Sequence, residues 1–201
     1  MLSTGLFTFG GRGGGFRPRH LRRSMSSCGT QANMKFIFLF LLFFVLGLSV
    51  SAQNTLYETY SGGGKAAFER GQIVESERLL KAALKEAENL KNNELIADGS
   101  VNLAKVYQSQ QKYDEAEKLY LRAIKIQEQI DGQESLSVSY ALSNLGLLYA
   151  EQEKYDKAEE ILRRALTIRE KLLEPNDSNI AITLVNLGKL YSTKTSSQRQ
   201  R

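Results

Sequence analysis

Asn102 to Ile130 is written a second time, 42 positions further on, as Asn144 to Leu172. Thirteen of the 29 places are identical, among them Asn102/Asn144, Leu103/Leu145, Tyr107/Tyr149, Tyr113/Tyr155, Ala116/Ala158 and Ala123/Ala165. A further step of 42 sets Leu184, Asn186, Leu187, Gly188, Leu190 and Tyr191 opposite Leu142, Asn144, Leu145, Gly146, Leu148 and Tyr149. A fixed period of this length, filled by helical patterns, belongs to chains whose units stack because no single unit can bury its own apolar face.

Each unit divides into two helices. Tyr113, Ala116, Leu119, Tyr120, Ala123, Ile124 and Ile130 recur at intervals dominated by three and four, which places them in one stripe along a helix. Val101, Leu103, Ala104, Val106 and Tyr107 mark a helix ahead of it, and Gln110 to Lys112 leaves room only for a tight antiparallel turn. Asp114 opens the second helix with further acids behind it, where the helix dipole favours them. Ala104, Gly146 and Gly188 share one position of the first helix, and Ala116/Ala158 and Ala123/Ala165 fall on the facing side of the second. Residues this small let two backbones approach closely, with Tyr107, Tyr149 and Tyr191 filling the space one turn on. Gly146 is therefore predicted to lie against Ala158.

The set Leu145, Gly146, Tyr149, Ala158 and Ala165 resembles the tetratricopeptide repeat (TPR). The 42-residue period, with Asn-Leu-Gly-x-Leu-Tyr and the linker Leu173 to Ala181, is similar to the kinesin-light-chain-like variety of that family. The resemblance covers about Lys65 to Tyr191. It implies an all-α fold, a right-handed superhelical solenoid of antiparallel helix hairpins. About three and a half repeats are expected, at roughly 65–91, 96–130, 138–173 and, incomplete, 179–191. The first repeat departs from the pattern, with Ser76 where the later ones have alanine. Beyond Tyr191 no apolar stripe continues, and residues 192–201 are expected to be a disordered tail. Leu184, Val185, Leu187 and Leu190 are more apolar than one buried face requires. That excess reads as a chain cut short or frameshifted, or as an end that meets another molecule.

Ahead of the repeats the composition changes twice. Residues 1–33 are rich in Gly, Arg and Ser, contain five arginines and no acid, and show no periodicity, which predicts a disordered basic leader. The leader fits an organelle transit peptide, or a start codon assigned too early, since Met34-Lys35 opens a complete signal by itself. Phe36 to Leu48 is apolar apart from Gly47, Lys35 supplies a positive flank, and Val50-Ser51-Ala52 offers small residues for cleavage before Gln53. The uncharged run from Phe36 to Ala52 is shorter than the roughly 20 residues that usually span a bilayer. Residues 34–52 thus read as a signal peptide or as a retained membrane anchor, and either way the remainder is exported, periplasmic or secreted. Residues 53–64 read as a polar linker with Gly62-Gly63-Gly64 as its hinge. They are not a phosphate loop, which needs glycine where Thr59 stands and Ser or Thr where Ala66 stands.

The formal charge of +5 arises wholly in the leader, because residues 34–201 carry 22 basic and 22 acidic side chains. The basic balance therefore makes no case for a nucleic-acid partner. The only cysteine and histidine, Cys28 and His20, also lie in the leader, so no disulfide or Cys/His zinc site is expected beyond it, and no cofactor. The remaining candidates for acid–base chemistry occupy repeat-equivalent surface places and do not converge, which argues against an enzyme. Stacked hairpins instead form a curved ribbon whose first helices line a concave side suited to a protein or peptide partner. Asn102, Asn144 and Asn186 recur at one position of those helices. The resemblance implies that they hold the backbone of a bound peptide, a task for which a carboxamide suits because it both donates and accepts. Lys105 and Lys189, three places after Asn102 and Asn186, would add a preference for acidic ligands, with Leu147 interrupting the series. Tyr140 is the tyrosine expected to face the groove. The competing expectation is an assembly block of a longer envelope scaffold with no groove ligand. A membrane enters as partner only if residues 36–52 are retained, and the oligomeric state is left open.

Overall fold

The computed structural model describes residues 55–199, all within the unit Leu46–Arg201. The leader at 1–33 and the signal or anchor segment at 34–52 lie outside the described residues. Among the described residues no helix is long and apolar enough to cross a membrane. They form seven helices and no strand: α1 at 55–69, α2 (Ile73–Asn89), α3 (Asn93–Ser109), α4 (Tyr113–Asp131), α5 (Leu136–Glu151), α6 (Tyr155–Leu172) and α7 (Ser178–Arg199). Three hairpins, α1/α2, α3/α4 and α5/α6, are followed by α7, which packs on α6 and α5.

The turn inside each hairpin is built the same way. Gly71, Gln111 and Glu153 adopt left-handed φ values of 72°, 61° and 59°. In each case the next amide closes back on the helix: Gln72 N–H donates to Ala67 C=O, Lys112 to Tyr107 and Lys154 to Tyr149, all at 2.9 Å. This closure satisfies carbonyls that a helix end would otherwise leave bare. Between hairpins, Asn92 and Ser135 cap α3 and α5, their side chains accepting from the amides of Leu95 and Val138.

The close approach foreseen at Gly146 is present. A Cβ there would come 2.6 Å from Leu162 Cγ and 3.5 Å from Ala158 O. Leu162 is fully buried and has nowhere to go. Gly64 repeats the arrangement in the first hairpin, where a Cβ would meet Leu80 Cγ at 2.6 Å. Gly64 thus stands in register with Ala104, Gly146 and Gly188, but 40 residues before Ala104 where the later steps are 42. The shorter step matches the length of α2, with 17 residues against 19 in α4.

Two expectations are corrected. The segment 53–64 is not a linker from residue 55 onward but the body of α1. Its buried face is Tyr57, Ser61, Gly64 and Ala67, spaced by four and three, and two of those four are too small or polar to register as an apolar stripe. Ser76, the departure in the first repeat, is fully buried and donates to Gly64 O at 2.8 Å, so its hydroxyl is satisfied where the later repeats carry alanine. At the other end, residues 192–199 are not a disordered tail but the last turns of α7. Thr193, Thr195 and Ser196 donate to the carbonyls of Lys189, Tyr191 and Ser192. Lys194 reaches Asp156 at 2.7 Å and Glu159 at 3.6 Å on α6. Polar ties there replace the missing apolar stripe.

The core runs through the array as two clusters that share α3. Leu103 and Val106 pack with Tyr57, Leu80 and Leu84, while Ala97, Val101 and Ala104 pack with Tyr120, Leu142 and Leu145. The backbones of α3 and α5, and of α5 and α7, approach each other, whereas α2, α4 and α6 meet only through long side chains, as in Arg122–Glu88 at 2.7 Å and Arg164–Glu128 at 2.6 Å. The first helices therefore crowd the inner side of a curve and the second helices spread over its outer side.

Candidate functional site

On the inner side α1, α3 and α5 enclose a cleft of about 460 Å³, lined by Lys65, Phe68 and Glu69 of α1, Leu80 of α2, Asp98, Asn102 and Lys105 of α3, and Tyr140 of α5. Asp98 organises it. Its Oδ2 accepts from Tyr57 Oη at 2.8 Å, Asn102 Nδ2 at 3.0 Å and Lys65 Nζ at 3.4 Å. Tyr57 is buried, and that burial together with the Asp98 charge drives its phenol far above the ordinary range, so it stays a neutral donor. The Asn102 carboxamide is held by one N–H, and among the described residues nothing is bonded to its oxygen. Lys105 Nζ lies 4.8 Å from the centroid of the Tyr140 ring and also donates to the Tyr140 hydroxyl. Tyr140 itself is 46% exposed, with a face of its ring available to a ligand.

Three of the six residues singled out from sequence, Asn102, Lys105 and Tyr140, are thus brought to one cleft. Asn144 lies one turn beyond Tyr140 and donates to that residue's carbonyl at 2.9 Å, so half of its amide nitrogen is spent on its own helix. Asn186 and Lys189 sit on α7, outside the cleft. Sequence reasoning missed Lys65, Asp98 and Tyr57. Lys65 lies 40 residues before Lys105, in the shortened register of the first repeat, and Asp98 lies one helical turn before Asn102. Two lysines and two acids line the cleft, so it carries no excess of positive charge. Its chemistry is an amide and an aromatic face set among balanced charges, suited to a polypeptide backbone beside an apolar or aromatic side chain.

A second cleft, of about 550 Å³, lies between the start of α6 and the end of α7. There Lys194 is engaged by Asp156 and Glu159, and Lys154 by Glu117. It belongs to a set of ties between hairpins. Glu77, Glu117 and Glu159 occupy one place on α2, α4 and α6, and each reaches the following unit. Glu77 takes Gln110 Nε2 at 2.7 Å, Tyr149 Oη donates to Glu117 at 2.9 Å and Tyr191 Oη to Glu159 at 2.9 Å. The Lys81 ammonium, then the Gln110 amide, hold the Glu77 carboxyl down at about 2. Arg169 makes a different tie. It is buried, its guanidinium proton affinity lowered by that burial, and it donates to Ser139 of α5 and to Asn179 O and Thr183 of α7.

These hairpins, repeating at 40 and 42 residues, match a family profile for the tetratricopeptide repeat at residues 56–129, 95–171 and 137–197. The chain belongs to the tetratricopeptide repeat family. Among solved structures it is similar to BtubC (BKLC) from P. vanneervenii, with 27% identity and a TM-score of 0.65 over 73% of this chain and 59% of that one. The apo form of RapI shares the fold at 20% identity and a TM-score of 0.62, over 71% of this chain and 50% of RapI. A putative kinesin light chain of nearly identical TPR-like repeats from Podosopora anserina shares it at 20% identity and a TM-score of 0.56, over 73% and 69%. The chain thus spans 59% and 50% of the lengths of BtubC and RapI. No curated protein sequence matches it significantly. TPR repeats mediate contacts between proteins and are generally scaffolds without catalysis, and their presence marks residues 56–197 as a protein-interaction module.

Proposed function

We propose that this module binds an extended peptide or a helix along its inner side, centred on the cleft where Asn102, Lys105 and Tyr140 meet. The observation that carries the reading is their convergence, from α3 and α5, on one open cleft of about 460 Å³. Asn102 presents its amide oxygen to a backbone N–H, Tyr140 presents an aromatic face, and Asn144 extends the same row along α5. Asn186 and Lys189 on α7 prolong the track for a longer ligand. The balanced charge of the cleft favours a ligand chosen by backbone and aromatic contacts over one chosen for acidity. The module works outside the cytoplasm, a reading supported by Lys35, the apolar run Phe36 to Leu48 and the small residues at Val50 to Ala52.

The test is to select peptides from a random library against the wild-type protein and rebind them to the Asn102→Ala/Asn144→Ala variant. Loss of roughly tenfold or more in affinity, about 1.4 kcal/mol, with an unchanged melting temperature is expected. Peptides that bind the variant as well as the wild type would place the ligand elsewhere.

A further inference from the structure

The face that α5 buries against α6 has a counterpart on α7 that nothing among the described residues covers. Ser139, Leu142, Ser143 and Gly146 of α5 correspond, at a step of 42, to Ala181, Leu184, Val185 and Gly188 of α7. Leu142 is 1% exposed and Ser143 7%, while Leu184 is 50% exposed and Val185 54%. A Cβ at Gly146 would collide with Leu162, whereas a Cβ at Gly188 would meet nothing within 4 Å. α7 therefore carries an apolar strip that ends in a glycine, of the same build as a surface that this chain covers with a helix.

We infer that this strip docks an amphipathic helix from a protein partner, antiparallel to α7, with a small residue opposite Gly188 and acids in its first turn. The apolar part of the complement is read from the chain itself. α6 answers Gly146 with Ala158, Leu162 and Ala165, all fully buried, and α2 answers Gly64 with Ser76, Leu80 and Ala83. The charged part follows from α7, which holds Lys189, Lys194 and Arg199 and no acid. Lys194 is taken by α6, but Lys189 and Arg199 have no acidic partner among the described residues. An antiparallel helix sets its first turn beside the end of α7, where Arg199 lies, and α2, α4 and α6 all carry acids in their first turns. The same count disfavours a second copy, because two α7 helices would meet with two uncommitted basic residues, Lys189 and Arg199, from each side and no acid from either.

The probe is a peptide of the sequence 154–173 of this chain, held helical by a lactam bridge on its polar side and titrated into the full-length protein by fluorescence anisotropy. One peptide is expected to bind per chain, and Asp156→Asn in the peptide to weaken that binding. Gly188→Leu is expected to weaken binding roughly tenfold or more without lowering the melting temperature, since the site around residue 188 is open. Binding that Gly188→Leu does not alter, or no binding at about 100 µM peptide, would overturn the inference. So would a photo-crosslinker at Val185 that captures a second copy, or residues 1–54 of the same chain, in preference to the peptide.

Discussion

Gly146 and Gly188 occupy one register and are chemically identical, yet they answer to opposite constraints. At Gly146 an added methyl runs into the buried Leu162 side chain, and at Gly188 it enters open space. Overpacking of roughly 1 to 3 kcal/mol outweighs the roughly 0.5 to 1 kcal/mol that alanine gains over glycine in a helix. Gly146→Ala is thus expected to lower the free energy of unfolding in urea by about 1 to 2 kcal/mol, and Gly188→Ala to raise it by about 0.5 to 1 kcal/mol. If both changes move stability in one direction, the packing account is wrong. The sequence placed both glycines in one series correctly, because register follows from spacing. It had no means of telling which of them has a helix opposite.

The second helices send glutamates across to the next hairpin, and Glu77 is the one whose carboxyl is most firmly held in the charged form. It meets Lys81 of its own helix at 2.5 Å, and Gln110 at 2.7 Å and Lys112 at 3.5 Å, the last two tying α2 to the turn between α3 and α4. Its carboxyl is held at about 2 in the fold, first by the Lys81 hydrogen bond, against an ordinary value near 4.3 in an unfolded chain. A depressed carboxylate contributes stability that is whole above the unfolded value and is lost as pH falls through the folded one. Denaturant midpoints are accordingly expected to fall between about pH 4.5 and pH 2, and Glu77→Gln to flatten that fall while lowering the midpoint at pH 7. An acid slope identical in the variant would show that the tie is idle. Repeat-equivalent acids at 77, 117 and 159 were visible in the sequence, but their use was not, because the partners lie 32 or 33 residues away on neighbouring hairpins.

An array in which each unit touches only its neighbours is only as firm at each point as the contacts on its two sides. Among the described residues α3 to α6 are flanked on both sides, and α7 leans on α6 and α5 alone. Amide exchange is expected to be slowest in α3 to α6 and fastest toward the end of α7, with helix binding on the strip slowing α7 selectively. Protection in α7 equal to that in α5 would contradict the graded array. The sequence by itself determined the helical hairpins, their antiparallel turns, the small-residue seam and the family, because all of these are periodic and short in range. Tertiary structure alone decided that α1 reaches back to residue 55 under a face of serine and glycine. It also decided that Asp98 gathers Tyr57, Lys65 and Asn102 beside Tyr140, and that nothing among the described residues covers one face of α7. Those outcomes depend on which surfaces meet across hairpins, and pairing at that distance leaves no periodic trace along the chain.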